Sequence, residues 1–299
     1  MIFPDLDELL ALRCEVQGLR LHARRASQAH VSGSHRSVQR GRGLEFQEVR
    51  EYANGDDPRT IDWRVTARRG RPHTKVFREE RERPVWLLVD LGATMFFGSR
   101  AQLKSTVAVR AAALMAWSVA LGGDRIGAIV IGTSGFRIIP PRAREAGVLQ
   151  TLLVLTQGQP RAVVEPSGTA FAEGVRSLAS LARPGNLVLA VSDFANVDAH
   201  QEGDWAALGR QTDLRFFWVS DPLERQGLPK GRFRVWLPGR PLSLDGEATR
   251  AAWQAQWRGR EERIEDLAQR AAAPIVRLDT RESTTDLVRQ VLPLRQVAA

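Results

Sequence analysis

An acidic residue, a glycine and a hydroxyl follow directly after an unbroken apolar run. The run, Val85 to Val89, is too short for an independent helix and is typical of a strand buried on both faces of a parallel sheet. Asp90, Gly92 and Thr94 come next. Parallel sheets bind their ligands beyond the carboxyl ends of the strands. The sequence therefore predicts that these three residues lie on a loop at the functional edge of the sheet.

The Asp-Leu-Gly-Ala-Thr pattern of this loop resembles the metal-binding loop of von Willebrand factor type A domains, whose usual form is Asp-x-Ser-x-Ser. There, a carboxylate and hydroxyls hold a divalent cation, which prefers oxygen ligands. The resemblance implies two further loops, at Gly168-Thr169 and at Ser192-Asp193. The implied metal residues are Asp90, Thr94, Thr169 and Asp193. Gly92 replaces one hydroxyl, so we expect a degenerate metal-ion-dependent adhesion site that binds Mg²⁺ or Mn²⁺ weakly or not at all.

A structural interpretation of the same residues stays open. Thr94 and Thr169 would cap the N-termini of helices, while Asp90 and Asp193 would accept hydrogen bonds from loop amides. In that case the loops would shape the edge of the sheet without holding a cation.

A dense segment of charged and aromatic residues precedes the apolar run. The turn signal at 54–58 separates an extended stretch, Leu44 to Tyr52, from a short helix predicted over Arg59 to Arg68. The candidate partner-binding residues of this segment are Arg50, Glu51, Tyr52, Asp56, Asp57, Arg59, Asp62 and Trp63. They would form a partner surface or a ligand groove. In the structural alternative, which we prefer, their aspartates pair with arginines and pin the segment onto the main domain.

The same segment resembles a bacterial family known as domain of unknown function number fifty-eight. The matching residues are Glu45-Phe46, Arg50-Glu51-Tyr52, Gly55-Asp56-Asp57, Arg59, Ile61-Asp62-Trp63, Ala67-Arg68, Lys75, Phe77 and Glu79-Glu80. Many spaced matches over roughly fifty residues are more specific than one short motif. Proteins that look like this are commonly encoded beside MoxR-type AAA+ ATPases. The resemblance therefore implies a non-enzymatic adaptor or co-chaperone that links such an ATPase to a client protein.

Predicted strands and helices alternate from the apolar run onward, which is the sequence form of right-handed βαβ units. This alternation predicts an α/β fold with a mostly parallel sheet and helices on both faces. The resemblance of the Asp-Leu-Gly-Ala-Thr loop implies that this doubly wound fold is von Willebrand factor type A-like. Residues 84–299 form this domain. Residues 1–83 are an N-terminal extension packed against it, with a helix over Asp5 to Arg25 and an exposed, mobile loop over Ser27 to Arg42.

Enzymatic alternatives have weaker support. The sequence contains no His-Glu-x-x-His motif, no nucleophile elbow and no Walker-type glycine loop. The rival function is a nucleotide-binding kinase or ATPase-like enzyme, because Asp-Leu-Gly-x-Thr is also close to the first phosphate loop of sugar kinases and actin-like ATPases. That loop normally turns back as a β-hairpin, whereas here we expect a helix after it. Aspartyl-phosphate phosphatases carry a second aspartate two residues after the first, where this chain has Gly92.

The amino-acid composition limits the classes of binding partner and the cellular compartment that we expect. The net charge is +9, and only three of the 43 Lys and Arg residues are lysines: Lys75, Lys104 and Lys230. The aromatic residues of the most basic segment are spaced like core contacts, so we do not expect nucleic-acid binding. A single cysteine, Cys14, favours a reducing compartment. Neither a secretory signal nor a transmembrane segment is predicted, so we expect a cytoplasmic location.

Overall fold

The computed structural model describes residues 3–17, 44–53, 58–79, 83–165, 168–198, 201–237 and 240–292. The chain divides into two compact units, one of residues Met1–Gln28 with Arg83–Ala299 and the other of residues Ala29–Glu82. The N-terminal helix groups with this larger unit and not with the segment that follows it.

The described residues form helices α1 to α9 and strands β1 to β10. The helices are Leu6–Ala11, Trp63–Arg69, Lys104–Leu121, Arg144–Gly158, Gly168–Leu181, Glu202–Gln211, Pro222–Gln226, Gly246–Arg270 and Thr284–Val291. The strands are Leu44–Glu51, His73–Glu79, Pro84–Asp90, Arg125–Ile131, Phe136–Ala143, Leu187–Ser192, Asp213–Ser220, Arg232–Leu237, Arg240–Asp245 and Ile275–Asp279. Short 3₁₀ helices lie at Cys14–Val16, Pro58–Thr60 and Ala93–Met95.

The larger unit is built on a six-stranded sheet in the order β10-β7-β6-β3-β4-β5. All neighbouring strands are parallel except the edge strand β5, which runs antiparallel to β4. When these six strands are numbered along the chain, the order read from β5 is 3-2-1-4-5-6, as in doubly wound folds. The predicted α/β class with a mostly parallel sheet is confirmed.

Helices cover both faces of this sheet, and the central strand β3 shows why its sequence is continuously apolar. Val85, Leu87 and Val89 lie in a core cluster that includes residues of α1, α3, α4 and α9. Trp86 and Leu88 lie in a second cluster that includes residues of α5, α6 and α8. Side chains of a strand alternate between the two faces, so burial on both sides requires apolar residues at every position.

The predicted helix over Asp5 to Arg25 is wrong beyond Ala11 in the residues that the structure describes. The Leu9 carbonyl accepts a hydrogen bond from Trp117 Nε1 at 3.0 Å, and the Arg13 amide donates to the Leu10 carbonyl instead, at 3.2 Å. The α-helix therefore gives way to a 3₁₀ turn at Cys14–Val16. Residues 18–25 and the predicted loop over Ser27 to Arg42 lie outside the described residues.

Two differences elsewhere are local. The helix predicted over Arg59 to Arg68 starts later, as α2, because the Asp62 carboxylate accepts hydrogen bonds from the amides of Arg64 and Val65. Helix α7 was not predicted from the sequence, and Asp221 and Glu224 form its capping box.

None of the helices within the described ranges combines the length and the apolar character needed to span a membrane.

Candidate functional site

The candidate site lies at the carboxyl ends of β3 and β6. These strands are neighbours, and the chain continues from β3 toward one edge of the sheet and from β6 toward the other. This is the switch point at which doubly wound folds leave a crevice for ligands. Asp90 is the last residue of β3, and Asp193 follows the last residue of β6. Two of the three loops predicted to converge therefore do so, and Ser192 Oγ donates to Asp90 Oδ2 at 2.6 Å.

Asp90 is a fully buried carboxylate held by neutral donors. The Gly92 amide donates to its Oδ1 at 2.9 Å, and the Ser192 hydroxyl donates to its Oδ2. Burial raises the pKa of Asp90 to about 6, and the nearby charge of Asp193 acts in the same direction, whereas the two hydrogen bonds oppose the rise. Asp90 therefore accepts a proton at a higher pH than an ordinary aspartate does.

Asp193 is equally buried but is held by cations. Lys104 Nζ donates to its Oδ2 at 2.6 Å, and the Arg260 guanidinium lies 3.5 Å from the same oxygen. Its Oδ1 accepts from the Ala195 amide at 2.9 Å and from Thr94 Oγ1 at 3.3 Å. Burial alone would raise the pKa of Asp193, but the charges of Lys104 and Arg260 outweigh it and hold the pKa below its ordinary value.

Lys104 joins Asp193 to Glu224 of α7. Its Nζ donates to Glu224 Oε1 at 2.8 Å, and only 2% of its side chain is exposed. Arg260 of α8 closes the cluster, because it lies 3.4 Å from Glu224 Oε1 and donates to the Asp193 carbonyl at 2.7 Å. Burial lowers the pKa of Lys104, but the two carboxylates together raise it above its ordinary value. The ammonium is therefore permanently charged at neutral pH.

Sequence reasoning missed all three of Lys104, Glu224 and Arg260. One signal was available for Lys104, which is the first residue of α3. The N-terminus of a helix carries partial positive charge and disfavours a lysine. A lysine at the start of an apolar, alanine-rich helix therefore indicates a specific anionic partner.

The two threonines of the predicted site are placed differently. Thr94 lies in the 3₁₀ turn after β3 and donates to Asp193, so it does not cap α3, which begins ten residues later without a side-chain cap. Thr169 is the second residue of α5 and is exposed. A Cβ on Gly168 would lie 4.0 Å from the Asn196 carbonyl, so the start of α5 borders the loop after β6.

The residues at this site do not fit a divalent cation. Both oxygens of Asp90 and both oxygens of Asp193 already accept hydrogen bonds, and Gly92 supplies no hydroxyl. A cation beside Asp193 would also meet the ammonium of Lys104, which like-charge repulsion disfavours. Among the described residues, no group of three or more His, Cys, Asp or Glu could hold a metal ion.

The site also differs from a nucleotide phosphate loop. Strands β3 and β4 are parallel, and α3 lies between them in the chain, so the Asp-Leu-Gly-Ala-Thr loop does not turn back as a hairpin. The kinase-like alternative therefore lacks the geometry that it requires.

The predicted partner-binding segment lies in the smaller unit, where β1 and β2 pair antiparallel. The Tyr52 amide donates to the Pro72 carbonyl at 2.9 Å, and Glu51 lies 3.5 Å from Arg71. Trp63, at the start of α2, is 69% exposed. Arg50 and Arg59 are exposed, Asp62 caps α2, and Asp56 and Asp57 lie outside the described residues.

A cleft of about 460 Å³ opens beside the loop after β6. Phe194 and Asp198 of that loop line one side, and Arg260 and Arg263 of α8 line the other. Arg260 thus connects the buried cluster to the surface.

Comparison with known proteins identifies the family. Residues 48–262 match the family described as "Protein of unknown function DUF58". The chain belongs to this family. It is 30% identical over 199 residues to the uncharacterized proteins Rv1480 of Mycobacterium tuberculosis (strain H37Rv) and Mb1516 of Mycobacterium bovis. The match covers 65% of this chain and 60% of each relative, so the chain spans less than two thirds of their length.

Solved structures similar to this DUF58 chain include two from Bacteroides and one von Willebrand factor type A domain. The conserved hypothetical protein BatB from Bacteroides thetaiotaomicron is 15% identical, with a TM-score of 0.46 over 70% of this chain and 96% of that chain. An aerotolerance-related membrane protein from Bacteroides fragilis is 13% identical, with a TM-score of 0.43 over 71% and 99%. The SpRpn10 VWA domain is 11% identical, with a TM-score of 0.34 over 70% and 95%.

Proposed function

We propose that this DUF58 protein is a non-enzymatic adaptor that binds partner proteins on the surface around the switch point. The observation that carries the proposal is the state of Asp90 and Asp193. Doubly wound folds bind ligands at this position, yet both carboxylates are fully buried and hydrogen-bonded within the chain. A catalytic carboxylate must instead face its substrate. The site thus supports a shaped and charged surface better than a reacting centre.

The partner that we propose is a MoxR-type AAA+ ATPase, which would bring a client protein to the same adaptor. Family resemblance supports this choice, and the cleft that Arg260 and Arg263 line together with Asp198, Glu202 and Asp266 supplies a charged surface of mixed sign. A cytoplasmic location belongs to the proposal, and the exposed thiol of Cys14 is compatible with a reducing compartment.

Two residues of α5 provide a matched pair for testing the docking surface. Thr169 and Ser180 both carry hydroxyls and both are exposed, and they lie near opposite ends of the helix. Eleven residues of helix separate them by about 16 Å. Thr169, at the start of α5, borders the switch point. Ser180, near the end of α5, lies away from the switch point.

The experiment measures binding of the purified MoxR-type ATPase encoded by the same organism. We expect Thr169→Glu to weaken the complex at least tenfold and Ser180→Glu to leave it unchanged. Absence of a complex with the wild-type chain, or equal effects of the two variants, would contradict the proposal. ATP hydrolysis by the purified chain alone, lost in Asp90→Asn, would favour the kinase-like alternative.

A further inference from the structure

The most unusual group in the larger unit is the buried ammonium of Lys104. A lysine in the first turn of a helix lies against the positive end of the helix dipole. Burying that charge adds a desolvation cost unless hydrogen-bonded anions compensate it. The sequence contains only three lysines, and one of them, Lys104, is buried at a helix N-terminus, which disfavours a positive charge. The position therefore requires a specific reason.

The surroundings of Lys104 supply that reason. Asp193 and Glu224 accept hydrogen bonds from Nζ at 2.6 and 2.8 Å, and the ring of Phe97 lies 5.7 Å from Nζ. An ammonium is a compact point charge that fits such a cage, whereas the planar guanidinium of arginine is larger and presents its donors as a rigid fork. The small ammonium of lysine therefore fits between the two carboxylates better than a guanidinium would.

The charges of this cluster balance. Lys104 and Arg260 are positive, Asp193 and Glu224 are negative, and ion pairs of 2.6 to 3.5 Å connect each cation to both carboxylates. A divalent ion would find no unpaired carboxylate among these four groups, because Asp193 and Glu224 each already pair with both cations. Removing Lys104 would leave the two carboxylates with Arg260 alone.

We infer that the Lys104 ammonium is the resident cation of this site, tethered through α3 and performing the neutralising role of a divalent metal ion. It binds Asp193, which directly follows β6, and through it holds the loop that also contacts Thr94. The site is therefore assembled without metal. This assignment concerns the chain alone and holds whether or not the proposed adaptor function is correct.

One consequence deepens the proposed function and rests on it. A partner carboxylate cannot complete a metal coordination shell here, because no metal is required and two carboxylates already bind the ammonium. Docking at the switch point is then insensitive to chelators, and the partner is recognised by the exposed residues around Thr169 and the Arg260 cleft.

The decisive experiment observes the ammonium itself. The full chain, labelled with ¹⁵N, is freed of metal with EDTA, and its lysine ammonium signals are recorded at neutral pH before and after millimolar MgCl₂. At most three such signals exist, and Lys75→Met and Lys230→Met assign Lys104 by elimination. Lys230, whose side chain is 78% exposed, serves as the reference for a solvated ammonium.

We expect a Lys104 signal whose hydrogen exchange is at least tenfold slower than that of Lys230 and whose position Mg²⁺ does not change. Exchange as fast as that of Lys230 would overturn the assignment, as would a shift of the Lys104 signal on adding Mg²⁺. Neither outcome depends on a partner protein, so failure here is distinguishable from failure of the adaptor proposal. If both proposals hold, the complex with the ATPase survives EDTA with unchanged affinity.

Discussion

Asp90 ends β3 and Asp193 directly follows the neighbouring strand β6, and both are fully buried, yet their loops stabilise a buried carboxyl group in opposite ways. The loop after β3 surrounds Asp90 with neutral donors, and the pKa rises to about 6. The loop after β6 places Asp193 between Lys104 and Arg260, and the pKa falls below its ordinary value. Only the second arrangement ties together α3, α7 and α8. The difference indicates that ion pairs with Lys104 and Arg260, and not the buried carboxylates alone, hold the elements at this edge of the sheet together.

The largest effect is expected from removing the ammonium. Lys104→Met keeps the length of the side chain but leaves Asp193 and Glu224 with a single cation, so the free energy of unfolding should fall by about 4–5 kcal/mol, near the top of the range for breaking buried ion pairs. Urea unfolding followed by circular dichroism measures this. Lys230→Met, at an exposed ion pair with Glu247, is the matched control and should change stability by at most about 0.5 kcal/mol. Equal losses in the two variants would remove the basis of the comparison.

The two aspartates should respond differently to the same substitution. Asp193→Asn should lower the free energy of unfolding by about 3 kcal/mol at neutral pH, less than the loss of Lys104 because Glu224 still binds the ammonium. Asp90→Asn removes a charge that burial disfavours, so its cost should be clearly smaller, and a gain is compatible with the account. Thermal or urea unfolding of both variants side by side measures the contrast. A larger loss for Asp90→Asn would reverse it.

The pH dependence of stability sharpens the contrast further. The pKa of Asp90 is about 6 in the folded chain against an ordinary 3.8, so folding favours its protonated form. The resulting stability is fully present below pH 3.8 and is lost as the pH rises through about 6. Between these values the wild type should lose at most about 3 kcal/mol relative to Asp90→Asn.

Asp193 should show the opposite sign. Its lowered pKa contributes stability that is present above the ordinary value and is lost as the pH falls below it, so Asp193→Asn should approach the wild type in acid. Urea unfolding of the three proteins at pH values from about 3 to 7 tests both signs. Parallel pH profiles for wild type and Asp90→Asn would show that Asp90 titrates normally.

The smallest effect is expected from restoring the missing hydroxyl. A side chain at Gly92 would place its Cβ 3.0 Å from Asp90 Oδ1, and the backbone φ of −67° is ordinary, so Gly92→Ser should cost only about 1 kcal/mol. Because Lys104 remains in place, millimolar Mg²⁺ should not raise the melting temperature of this variant. A Mg²⁺-dependent rise in Gly92→Ser alone would show that the absent hydroxyl, and not the ammonium, governs metal binding.

Local patterns predicted the frame of this site well. The apolar run ending at Asp90 and the strand ending at Ser192 are short-range signals, and the rule for parallel sheets brings their carboxyl ends to one edge. The kinase-like alternative could also be weakened from the sequence, because a helix was expected after the loop. These inferences need only the order and type of the elements.

The cation cluster could not be predicted in this way. Lys104 lies 89 residues from Asp193 and 120 from Glu224 in the chain, and α7, which carries Glu224, is a five-residue helix without a periodic signal. Arg260 is one of many charged residues on the long helix α8. Contacts between residues so far apart in the sequence depend on how α3, α7 and α8 pack around the sheet, and no local sequence pattern predicts that packing.

The central claim is that a lysine ammonium, and not a metal ion, neutralises Asp193. Crystals of the wild-type chain grown with millimolar MnCl₂ and measured at the manganese absorption edge test it directly, because bound Mn²⁺ gives an anomalous difference peak. The account predicts no peak beside Asp90, Thr94 or Asp193, and density for Lys104 reaching Asp193 and Glu224. A manganese peak among these residues, with Lys104 turned away from Asp193, would contradict it.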